Sequence, residues 1–245
     1  MVEKWLGLPI NASLHGPQID RIIGVIHILM FLLFFGWGIF YLYTLWRFRQ
    51  SKNPKADDVG VKSHISTYLE IGVVIFEVVI LVVFAFPIWS KVVVNVPDAK
   101  DATNIRIVAE QFAWNIHYPG NDGIFGKVDP KLMGPSNPLG LDSNDPNAKD
   151  DITTINQLNL PVNKPVLIRL SSKDVIHCFS LPVMRIKQDA VPGMAVPVSF
   201  TPIRTGNWEI ACAQLCGLGH YRMRGYLNIQ TDEEFHNWLT QQKAV

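Results

Sequence analysis

Apolar residues are distributed very unevenly along this chain, and that unevenness divides it. From Ile22 to Trp46 the sequence reads IIGVIHILMFLLFFGWGIFYLYTLW, without a Lys, Arg, Asp or Glu. As a helix this run is about 37 Å long at roughly 1.5 Å per residue, against about 30 Å of bilayer hydrocarbon. A second run, Leu69 to Trp89, is LEIGVVIFEVVILVVFAFPIW and is also long enough to span. Apolar side chains cover every face of both runs and leave no polar stripe, which argues against buried core helices. The pattern predicts two transmembrane helices, over 22–46 and 67–90.

After Trp89 the pattern breaks into short β-rich stretches. Asn104–Val108, Phe112–Tyr118, Val166–Ser171, Ala195–Thr201, Asn207–Ala211 and Gly225–Ile229 read as strands. Pro161, Pro165, Pro182, Pro192, Pro197 and Pro202 punctuate them and exclude long helices. Strands at this spacing predict an all-β sandwich or small barrel. Thr231 followed by Asp232, Glu233 and Glu234 predicts a capped C-terminal helix running into FHNWLTQQ. Between Asn121 and Asp151 the chain is rich in Asn, Asp, Pro and Gly, predicting a long solvated loop with little to bury. Its acidic spacing matches no calcium loop.

Charge sets orientation and excludes some partners. The linker 47–66 carries Arg47, Arg49, Lys52, Lys55 and Lys62, while Asp57 and Asp58 count little in the positive-inside rule. The linker is therefore expected in the cytoplasm, with segment 1–21 and domain 91–245 outside, in a bacterium on the periplasmic side. Residues 1–21 do not read as a cleaved signal peptide, so the first span would serve as its own export signal. A formal net charge of +1 gives no bulk case for nucleic acid.

The candidate chemistry lies in Cys212-Ala-Gln-Leu-Cys216-Gly-Leu-Gly-His220-Tyr-Arg-Met223. In an oxidising compartment Cys212 and Cys216 alone read as a disulfide. His220 and Met223 change that reading, because thiolate, imidazole and thioether together suit copper. Zinc competes, but its sites rarely recruit Met. Cys216-x3-His220-x2-Met223 has the spacing of a mononuclear cupredoxin loop, and His177 stands where an upstream ligand belongs. A mononuclear site has no use for Cys212, whereas two thiolates four residues apart can bridge two metals.

The whole chain resembles subunit II of the cytochrome c oxidases, in the haem-copper oxidase superfamily. The resemblance rests on the two spans and on the order His177 … Cys212-x-Gln214-x-Cys216-x3-His220-x2-Met223. It implies a Greek-key cupredoxin domain behind a helical hairpin, and a dinuclear copper centre, CuA. Its ligands would be His177, Cys212, Cys216, His220, Met223 and the backbone carbonyl of Gln214. It also implies an electron-entry subunit that takes electrons from a cytochrome c and passes them to haem in subunit I, where oxygen is reduced. Subunits I and III, membrane lipid and a bacterial inner membrane follow as partners and setting. Haems and a further copper belong to the partner subunit. A membrane-tethered cupredoxin carrier outside any oxidase is the competing function, but a tether needs only one span. Copper delivery or sensing calls for a labile, exposed site, unlike this sulfur- and imidazole-rich set. Nitrous oxide reductase shares the copper motif but carries an added catalytic domain that this length leaves no room for.

Further residues follow from the resemblance. Glu70 takes the position of a helix-end carboxylate at the mouth of a proton channel, and Asp189, in Lys187-Gln-Asp189-Ala-Val-Pro192-Gly193, that of a proton-exit group. Glu77 lies deeper in the span, where an ionised carboxylate is costly, and is expected to face subunit I. Two departures stand out. The family has Glu where this chain has Gln214, which removes a side-chain ligand for a magnesium or manganese ion. It also reads Gln-Trp-x-Trp where this chain reads Gln111-Phe112-Ala113-Trp114. Phe112 and Trp114 are the electron-entry candidates. With Arg222 and Arg224 nearby, they point away from a basic soluble cytochrome and toward a cytochrome domain of a membrane-bound reductase.

Overall fold

The computed structural model describes residues 2–55, 59–60 and 62–242; Asp57 and Asp58 of the linker lie outside them. Two helices, Gly16–Arg47 and Ile65–Val94, are long and apolar enough to cross a membrane, and neither is buried within the chain. Each outruns its apolar run because polar turns extend it. Pro17 opens the first helix, where a missing N–H costs nothing. Asp20, one turn further on, forms a two-pronged ion pair with Arg185 of the outer domain at 2.7 and 3.0 Å. Basic groups gather at the other end, with Lys52 Nζ 3.9 Å from the Trp46 ring centroid, as suits an interfacial aromatic. Pro87 sits inside the second helix. Having no N–H to donate, it is preceded by a π-helical stretch, Ile80–Ala85, in which Phe86 N–H reaches Leu81 O.

Ten strands form the outer domain. They are β1 (Thr103–Glu110), β2 (Ala113–Tyr118), β3 (Ile152–Ile155), β4 (Gln157–Pro161), β5 (Val166–Ser172), β6 (His177–Leu181), β7 (Ile186–Ala190), β8 (Val196–Phe200), β9 (Gly206–Cys212) and β10 (Arg224–Gln230). One sheet has the order β3-β2-β1-β5-β8 and the other β4-β10-β9-β6-β7. The pairings β1–β5 and β4–β10 are parallel, and the rest are antiparallel. In β1, Ile105, Ile107 and Ala109 alternate inward. They meet Trp114, Ile116, Ile168, Leu170, Phe179, Leu181, Ile210 and Leu227 in one core. This is the two-sheet cupredoxin-like architecture expected, closed by the helix Asp232–Gln241. There the Thr231 side chain accepts from Glu234 N–H while Glu234 accepts from Thr231 N–H, the capping box that TDEE predicts.

All six predicted strands are present to within two residues, and four were not predicted. β4 and β6 are short and buried at nearly every position, so they lack the alternation that marks a half-exposed strand. β3 and β7 are short edge strands of mixed polarity. The segment 121–151 contains no strand longer than an isolated bridge among its described residues. The expectation that it buries little does not hold, since Leu139, Leu141 and Ala148 are buried. Its acids bind its own backbone. Asp150 accepts from the N–H groups of Asn121 and Asp122, and Asp145 from Lys127. Asp151, fully buried, accepts from Gly126 N–H at 2.8 Å and meets His117 Nε2 at 2.6 Å. Burial lowers the pKa of His117 despite the opposing carboxylate. A neutral ring donating through Nε2 leaves Nδ1, which has no partner among the described residues, without a stranded proton.

Candidate metal centre

Three adjacent strands assemble the site. β6, β9 and β10 lie side by side, with Phe179 opposite Cys212 and Ala211 opposite Arg224. That register brings His177 at the start of β6, Cys212 at the end of β9 and Met223 just before β10 to one pole of the sandwich. The loop 213–223 folds back over them and supplies Cys216 and His220. Cys212 Sγ and Cys216 Sγ stand 3.8 Å apart, nearly twice a disulfide bond length, so both cysteines are free. His177 Nδ1 lies 4.0 Å from Cys212 Sγ, and His220 Nδ1 lies 3.6 Å from Cys216 Sγ. Met223 Sδ is 3.2 Å from His177 Nδ1 and 3.8 Å from Cys216 Sγ. Gln214 O is 3.3 Å from Cys212 Sγ. All six residues singled out from the sequence thus converge, and their donor atoms face one another.

Supporting contacts fix the donors. His177 is fully buried, and its Nε2 bonds Asp174 Oδ1 at 2.8 Å, which turns Nδ1 toward the sulfurs. Burial opposes ionisation of Asp174. Hydrogen bonds from His177 and from the N–H groups of Gln111 and Val175 outweigh it and hold the carboxyl below its ordinary range. The Gln111 amide donates to Cys216 O at 2.5 Å and ties down the loop. Phe112 presses beneath Gly219, where an added Cβ would lie 2.4 Å from the ring. Burial, followed by the neighbouring Cys212, pushes the Cys216 thiol up to about 11. In the metal-free chain it keeps its proton, so a bound metal displaces it.

The sequence left Asp174 and Gln111 unassigned. Asp174 stands three residues before His177, and that local spacing was the one available signal. Gln111 reaches the loop across 105 residues of chain, which no local pattern reveals.

The other candidates contribute no donor atom, although two of them pack against the site. Trp114 is fully buried, edge-on to Phe179 at 5.5 Å and to His177 at 6.3 Å between ring centroids. Phe112 is half-buried, with the Arg222 guanidinium 5.9 Å from its ring. Asp189 pairs in register with Cys178, whose thiol is pushed up to about 12 by burial and by that carboxylate. Glu70 is on the second membrane helix, outside the domain.

Donor chemistry decides which metal fits. Two thiolates, two imidazoles and a thioether are soft and borderline ligands that suit copper and not a hard cation. His177, Cys212 and Cys216 can all face one ion, their donor atoms lying within 4.8 Å of one another.

Fold and site together define a membrane-anchored cupredoxin-type domain with a sulfur-rich donor set. Residues 103–229, just over half the chain, match the family described as cytochrome c oxidase subunit II, periplasmic domain. The alternative cytochrome c oxidase subunit 2 of Bradyrhizobium diazoefficiens is 34% identical over all of this chain and 86% of its own length. Cytochrome c oxidase subunit 2 of Cereibacter sphaeroides is 27% identical over 97% of this chain and 80% of its own. A crystal structure of the periplasmic domain of subunit II of cytochrome oxidase from Bradyrhizobium japonicum is 28% identical. It covers 59% of this chain and 94% of its own, with a TM-score of 0.43. The chain belongs to the cytochrome c oxidase subunit II family, and is therefore a subunit of an oxidoreductase complex rather than a free-standing carrier.

Proposed function

We propose that this chain is the electron-entry subunit of a bacterial terminal oxidase and that its loop holds a dinuclear copper centre. One observation carries the reading. Each sulfur of the pair Cys212 and Cys216 has its own imidazole nitrogen, His177 Nδ1 or His220 Nδ1, within 4.0 Å. A mononuclear site would use both imidazoles but only one thiolate, leaving Cys212 unused. Met223 Sδ and Gln214 O lie beside these donors and would add weak ligands to the copper they hold. When bound, the copper pair supplies a one-electron couple shared between two ions.

The remaining work belongs to the protein. Asp174 fixes the ring of His177, Gln111 and Phe112 brace the loop, and the buried core behind Met223 keeps water from that side. A site whose ligands are already held rearranges little between oxidation states, as fast electron transfer needs. The electron leaves for haem in subunit I, where oxygen is reduced, and subunit III completes the membrane assembly. The domain then faces the periplasm from the inner membrane. Gln214 is a neutral amide with an exposed side chain, and contributes to copper through its carbonyl only. A magnesium or manganese ion at the interface gains no carboxylate here. The donor is a cytochrome c or a cytochrome domain of a membrane-bound reductase, and the positive charge that Arg222 places beside the loop favours the second over a basic soluble cytochrome.

Metal counting with electron paramagnetic resonance on the purified full-length protein tests this. Two coppers per chain with a multi-line hyperfine pattern in the half-oxidised state are expected, and Cys212→Ser should abolish that pattern. One copper with a four-line signal, or zinc in its place, would refute the dinuclear assignment.

A further inference from the structure

The second membrane helix carries a group that the copper chemistry leaves unexplained. From Ile71 to Trp89 every residue is apolar except Glu77. Its carboxylate has no hydrogen bond or ion pair within the chain among the described residues, and it is exposed on the helix surface. In hydrocarbon an ionised carboxylate is strongly disfavoured. A group left in that position therefore finds a partner on another chain or carries a proton.

Position on the helix narrows the choice. Glu70 and Glu77 lie seven residues apart in the regular α-helical stretch Ile65–Val79. Seven residues turn the helix to within about 20° of two full turns and rise about 10 Å. Both carboxyls therefore share one face, one near the helix start and the other about 10 Å deeper. Val73 and Val74 occupy the face between them. Just beyond Glu77 the helix changes to the π-helical stretch Ile80–Ala85, and Ile80 N–H is shared between the carbonyls of Phe76 and Glu77. A helix–helix anchor requires only a hydrogen-bonding amide or hydroxyl, which costs less to bury than an ionisable group. The choice of a carboxyl favours proton exchange.

We infer that Glu77 is a proton-exchanging group in the membrane, set on one face with Glu70 and turned toward the oxidase's membrane subunit. The inference rests on the chain being a subunit of an oxygen-reducing complex, which consumes protons. Glu77 takes up a proton arriving from the Glu70 end and releases one to the partner subunit, so it returns to its starting state each cycle. Water or side chains of the partner bridge the interval of about 10 Å, which is too long for direct transfer.

The test uses the assembled oxidase with Glu77→Gln, which keeps hydrogen bonding but cannot exchange protons, and Glu77→Asp, which keeps the carboxyl. The Gln variant is expected to co-purify with its partner and keep its metal content. It should also keep anaerobic reduction of the metal centre by the electron donor. Its oxygen consumption should fall about tenfold or more with an altered pH profile, while Glu77→Asp keeps most of the activity. Turnover of the Gln variant within twofold of the parent, with the same pH profile, overturns the inference. Loss of the partner subunit from the Gln variant overturns it equally, by making Glu77 an assembly contact. Failure of anaerobic reduction in the parent protein would instead refute the electron-entry reading and leave the proton question separate.

Discussion

At the scale of single residues, the site is governed by groups that touch the donors rather than by the donors alone. Asp174 selects which nitrogen of His177 faces the sulfurs, by accepting from Nε2 at 2.8 Å. Partners of this kind typically change metal affinity 10- to 100-fold when removed. Asp174→Ala is accordingly expected to lower copper affinity by about 10- to 100-fold, read by competition with a chelator, with the far-ultraviolet spectrum of the domain unchanged. Unchanged affinity would mean that packing against Trp114 alone orients the ring.

Among elements, the decisive contact is between the β1–β2 turn and the loop 213–223. Gly219 is needed because Phe112 occupies the space its side chain would take, 2.4 Å from a Cβ. Gly219→Ala should displace the loop and reduce copper occupancy without unfolding the sandwich. Phe112→Ala in the same chain should restore much of the loss, since it removes the atoms in conflict. Occupancy measured by metal analysis in single and double variants checks this, and no rescue would place the strain elsewhere. The same contact gives Phe112 a bracing role whether or not it also meets the electron donor.

Over the whole molecule, membrane anchor and outer domain are joined by a pair that both sequence runs conceal. Asp20 of the first helix and Arg185 after β6 have side chains only 7% exposed and are bonded at two points. Arg185 adopts a left-handed backbone to reach it, with φ 56°. Removing one partner of a buried pair leaves an uncompensated charge, at a cost of about 3–5 kcal/mol. Asp20→Ala is expected to lower the unfolding midpoint of the full chain and to expose the segment 9–15 to protease. A midpoint unchanged within error would show that Arg185 finds water instead.

The sequence by itself determined the elements whose signals are local. Twenty-five uncharged residues specify a span, TDEE specifies a capped helix, and Cys, Cys, His and Met at fixed offsets in one loop specify a sulfur-rich metal site. Those signals need nothing beyond a few neighbouring residues, so they survive without knowledge of the fold. Strands β4 and β6 stayed hidden because burial on both faces erases alternation, and the order inside the segment 121–151 stayed hidden because its acids bind its own backbone. Only the tertiary structure decided that His177 and Cys212, 35 residues apart in sequence, bring a ring nitrogen and a sulfur to 4.0 Å. It alone set Asp174 and Gln111 as supports and Asp20 as a tie to the domain. Contacts between distant strands depend on register and on which faces become buried, and those are fixed only when the two sheets close on a common core.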